Sequence, residues 1–117
     1  MANELLAITA IGFVLAASLC THHSTTLRLG PEAPQDIREG CEVADHRCSR
    51  CHSADRIVEV RASDPKELET LVRRMRQKPE SDISAIDQPV IVRCLVYRSF
   101  GQPGLDQLAP PADGGVP

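Results

Sequence analysis

Cys48, Cys51 and His52 stand at positions 48, 51 and 52 of a 117-residue chain, with Ser49 and Arg50 between the two thiols. Two thiols three positions apart, followed at once by an imidazole, suit three kinds of chemistry. The pair can cycle between dithiol and disulfide. It can supply half of a zinc site. Cys-x-x-Cys-His is also the attachment signature of c-type haem. The last reading uses all three side chains, because each thiol forms a thioether with one porphyrin vinyl group while the imidazole ligates the iron. Zinc needs a second closely spaced pair, which Cys41 and Cys94 do not form. A thioredoxin-type pair sits beside a strand-turn-helix pattern that this sequence lacks. Haem attachment is therefore preferred, with zinc and a redox or structural disulfide as rivals.

Something must hold those residues in place, and the chain is short. Its length allows one domain at most. Residues 5–20, "LLAITAIGFVLAASLC", form an unbroken apolar or small stretch of 16 residues between Glu4 and Thr21-His22-His23. As a helix they would span roughly 24 Å at 1.5 Å per residue, short of the roughly 30 Å hydrocarbon core. Residues 1–20 are read as a signal peptide, with cleavage after Ser18, or as an N-terminal membrane anchor. Export follows from either. Residues 21–33 read as linker, and 101–117, "GQPGLDQLAPPADGGVP", as a disordered Pro/Gly-rich tail. That leaves 34–100 as the folding unit. So small a domain usually borrows a disulfide, a metal or a cofactor. With no Trp, and only Tyr97 and Phe100 as aromatics beyond the first twenty residues, its interior has few large side chains of its own.

Three helices are expected. Ile37, Cys41 and Ala44 recur at helical spacing ahead of the motif. In "SDPKELETLVRRMRQKP", Asp64 is a cap, Pro65 suits the first helical position and Glu67 completes a capping box. Leu68, Leu71, Val72 and Met75 share one face of that helix, and Pro79 lies beyond its end. A last helix begins near Asp87, since Pro89 belongs in a first turn, and carries Ile91, Cys94, Leu95 and Arg98 along one stripe.

With these residues in hand, the stretch 34–100 resembles a compact class I c-type cytochrome. Besides Cys48-x-x-Cys51-His52, the resemblance rests on Gly40, eight residues before Cys48, and on "IVRCLVYR" as the closing helix. It implies an all-α, small cytochrome c-like fold of three or so short helices around one covalently bound haem c. It implies an electron-transfer protein rather than an enzyme, carrying single electrons outside the cytoplasm, periplasmic or anchored facing the periplasm. Its partners would be redox proteins or a membrane oxidoreductase complex. The family's second axial ligand is usually a methionine, and Met75 is the only one outside the leader. The alternative keeps Met75 as core filler and leaves the iron open, as in a haem sensor or small haem enzyme. His46 is too near Cys48 to reach the other face, and His22 and His23 adjoin the leader.

The resemblance also implies that the first and last helices cross near Gly40. A disulfide between Cys41 and Cys94 would fit there, the alternative being two buried free thiols. Net charge is −3, yet Arg47, Arg50, Arg56 and Arg61 gather around the motif and Arg73, Arg74 and Arg76 flank Met75. Arg56 is the expected partner of the haem propionates, and the basic rim would steer an acidic redox partner. No nucleic-acid site is expected, because no aromatic residues interleave these cations.

Overall fold

A computed structural model describes residues 27–110, and among them every regular element is helical. Helix α1 spans Gln35–Cys48, α2 Ala54–Val58, α3 Pro65–Arg76 and α4 Asp87–Leu105. The all-α expectation holds for these residues, and three of the four helices fall where spacing and caps put them. In α1 the expected stripe of Ile37, Cys41 and Ala44 is buried to 1% exposure or less. Asp36 in its first turn and His46 and Arg47 in its last complement the helix dipole. Helix α2 was not expected. It is five residues long and buries only Ile57, too short for a periodic signal to register.

Helix α3 begins as its caps dictate, with Asp64 Oδ1 accepting from the Glu67 amide at 2.9 Å. Glu67 reaches one residue further back than a closed capping box requires. Its carboxylate accepts from the amide and the hydroxyl of Ser63, each at 2.8 Å, and these bonds, the amide first, lower its pKa below the ordinary value. Just ahead of α4, Ser84 and Asp87 exchange two side-chain to backbone hydrogen bonds at 3.0 Å each. That reciprocal pair satisfies donors a helix start leaves open.

The expected tail is corrected for its first part. Helix α4 continues past Phe100 through a kink at Gly101, whose φ of 64° and ψ of −158° suit glycine almost alone. Beyond the kink Leu105 is 6% exposed and Leu108 packs against the core. The Pro and Gly residues here redirect the chain without ending its structure. Residues 111–117 lie outside the described residues. The linker reading fails in the same way for residues 27–33. Leu27 is fully buried, its amide donates to Asp45 Oδ1 at 3.3 Å, and its carbonyl accepts from Arg98 at 3.0 Å. The leader, 1–20, also lies outside the described residues, and among those that are described no helix is long and apolar enough to cross a membrane.

The core is the seam where α4 packs against α1 and α3. At the α1–α4 crossing a Cβ on Gly40 would stand 2.8 Å from the Val90 carbonyl oxygen. Next to it Cys41 and Cys94 are joined by a disulfide, with Cα atoms 5.0 Å apart and both residues fully buried. Gly40→Ala is expected to lower unfolding free energy by about 1–3 kcal/mol, the range for forcing extra volume into a packed interior. Urea denaturation followed by circular dichroism measures it, and an unchanged midpoint would show that the helices move apart freely.

Candidate functional site

Helix α1 ends on Cys48, and the chain turns immediately. The amides of Cys51 and His52 both donate to the Cys48 carbonyl, at 3.2 and 3.0 Å, which folds the motif into one tight turn. The next residue, Ser53, is the N-cap of α2. Three consecutive devices, a helix end, a turn and a helix start, therefore fix the three chemical side chains relative to the core.

Cys48 and His52 border a cavity of about 270 Å³, open to solvent. Cys48, His52 and Arg56 contribute to it from the motif and α2, Leu71, Val72 and Met75 from α3, and Ile91 and Leu95 from α4. Its size lies just below the roughly 300–1,000 Å³ of ordinary ligand sites, and most of the lining is aliphatic. A second cavity shares Cys48, His52, Met75 and Ile83 with the first, and extends to Cys51 and to Lys78, Pro79, Glu80 and Ser81. Together they make one slot. All five residues expected to meet a cofactor, Cys48, Cys51, His52, Arg56 and Met75, line it.

Met75 is the informative one. Leu68 and Val72 on the same helix belong to the buried core, whereas Met75 is partly buried, lies outside that cluster and borders both cavities.

The thiols are equally informative. Cys48 and Cys51 are unbridged. Burial, followed by the charges of Asp45 and Cys51, pushes the Cys48 thiol up to about 11. Cys48 itself is therefore protonated at neutral pH, whereas Cys51 is exposed. Among the described residues no three His, Cys, Asp or Glu side chains are grouped to hold a metal ion.

The basic cluster divides. Arg56 lines the slot and makes no ion pair among the described residues. Arg47 and Arg50 are committed instead: Arg47 pairs with Asp82 at 3.0 Å and Asp87 at 3.1 Å, and Arg50 also pairs with Asp82. The Asp87 carboxyl is held below its ordinary pKa, first by the Ser84 amide and then by the Ser84 hydroxyl and Arg47. Asp82 and Ile83 were not foreseen as site residues. They fall between two helices, where neither periodicity nor a motif marks them. The chain matches no family model, no curated protein and no solved structure.

Proposed function

We infer that the chain is a mono-haem c-type cytochrome that passes single electrons between redox partners outside the cytoplasm. One observation carries this reading. Two unbridged thiols and an imidazole in Cys-x-x-Cys-His order border a mostly aliphatic slot that also receives a thioether kept out of the core. That donor set suits a flat apolar macrocycle with a metal at its centre.

Cys48 and Cys51 would hold the group covalently through thioether bonds. His52 and Met75 would supply donor atoms to its iron. Haem bound in this way supplies a one-electron couple whose potential depends on those ligands and on burial. Leu71, Val72, Ile91 and Leu95 exclude water from the slot. Arg56, which makes no ion pair among the described residues, is the cation for the propionates. Arg61, Arg73, Arg74 and Lys78 also make no ion pair among the described residues and leave a positive rim for an acidic partner, either a soluble redox protein or a membrane oxidoreductase complex.

Optical spectra of the purified holoprotein test the ligand set. The ferric form is expected to show the weak far-red band of thioether-ligated haem. Met75→Ala should abolish that band, lower the reduction potential and let carbon monoxide bind the reduced protein rapidly. Attached haem with no such band in the unmodified protein would move the preference to an open iron, and so to a sensor or catalyst.

A further inference from the structure

The two arginines that bracket Cys48 reach one distant carboxylate. Arg47 Nη1 donates to Asp82 Oδ2 at 3.0 Å across 35 positions, and Arg50 Nη1 donates to the same oxygen across 32. Arg47 Nε meets Asp87 Oδ2 as well, at 3.1 Å. The attachment motif is thus tied to the segment that follows Met75.

That segment, 77–83, forms a wall of the slot through Lys78, Pro79, Glu80, Ser81 and Ile83. Its other hydrogen bonds stay local. The Lys78 amide donates to Met75 at 3.0 Å, the Ser81 amide to Lys78 at 3.1 Å, the Ser81 hydroxyl to Arg76 at 3.1 Å and the Ile83 amide to Ser81 Oγ at 3.4 Å. None of them crosses to the motif. Asp82 is also the one non-glycine among the described residues with positive φ, 53°. Asp is among the few non-glycine residues that take up that conformation readily, so the turn can present its carboxylate to the two arginines.

We propose that Arg47, Arg50 and Asp82 form an ionic latch that holds segment 77–83 against the Cys48–His52 turn and so keeps Met75 at the slot. The three are positioning residues. The functional consequence rests on the reading of Met75 as an axial ligand, whereas the latch itself is a contact between residues of the chain. The Arg50 and Asp82 side chains are 52% and 54% exposed, so water and salt reach the pair. Exposed ion pairs shift populations modestly, and the expected change on breaking this one is about fivefold.

The test uses the full-length holoprotein and Asp82→Asn, because asparagine tolerates the left-handed turn and the substitution removes only the charge. Amide hydrogen exchange at Lys78, Ser81 and Ile83 is expected to quicken about fivefold, with α1 and α4 unchanged. Imidazole affinity of the ferric protein, read optically, should rise by the same factor as Met75 is displaced more easily. Salt near 1 M, where screening acts within about 3 Å, should move the unmodified protein towards the variant in both measurements. Unchanged exchange overturns the latch. Faster exchange with unchanged imidazole affinity overturns its role in placing Met75. An unmodified holoprotein without the thioether band overturns the axial reading of Met75 instead, and the exchange measurement still decides the latch.

Discussion

A chain carrying Cys48→Ala and Cys51→Ala together is expected to be colourless and largely unfolded, even when made in cells that attach haem c. The slot enters the interior where α3 and α4 meet, and Ile57, Val72, Ile91 and Leu95 belong at once to its lining and to the core. A domain of this size draws no more than about 3–5 kcal/mol from its own apolar interior, and this one has no Trp to help. Losing a covalently held group that fills the slot should therefore remove most of the net stability. Far-ultraviolet circular dichroism and the visible spectrum read the two losses together. The single Cys51→Ala variant should keep one thioether and much of its helix. A colourless double variant that unfolds cooperatively at the parent's temperature would show that the slot needs no occupant.

The second large effect is expected from Cys41→Ala with Cys94→Ala. The disulfide closes a loop of 53 residues between α1 and α4, and a loop of that length contributes about 4 kcal/mol in the chain-entropy model. At about 4–8 °C per kcal/mol for a small domain, the midpoint should fall by about 15–30 °C. The loss should be larger than that of Gly40→Ala, because Gly40 affects only how closely the two helices approach. Calorimetry on the holoprotein measures it. A fall of only a few degrees would mean that contacts around Val90 and Cys94 hold the crossing without the covalent link.

How far the sequence discloses this molecule varies from element to element. Helix α3 was fully legible because Asp64, Pro65 and the spaced Leu68, Leu71, Val72 and Met75 all specify the same helix, and local rules need no distant partner. Helix α4 was legible at its start, where Ser84, Asp87 and Pro89 act within a few residues. It was misjudged at its end, because Gly101 and Pro103 bend a helix and break a disordered chain in the same letters. Only tertiary burial of Leu105 distinguishes the two. Leu27 reads as linker for the same reason, its partners Asp45 and Arg98 being 18 and 71 residues away.

At the slot, the residues with distinctive chemistry could be named from their types alone. What could not be read was the commitment of Arg47 and Arg50. Counted along the chain they belong to a basic cluster, yet in space Asp82 and Asp87 neutralise them, and among the described residues Arg56 and Lys78 are the lining cations that make no ion pair. Position on a helix face placed Met75 correctly but left its role open, since a side chain on the apolar face can enter either the core or a cavity beside it.

The most direct test of the central claim is the intact mass of the chain, made in cells that attach haem c, after denaturation, paired with its reduced visible spectrum. The expected result is a chain heavier by one haem that keeps its colour under denaturant, with the addition mapped to the peptide holding Cys48 and Cys51. An unmodified mass from cells shown to attach haem c to another protein would contradict the electron-carrier reading and return the motif to its thiol chemistry.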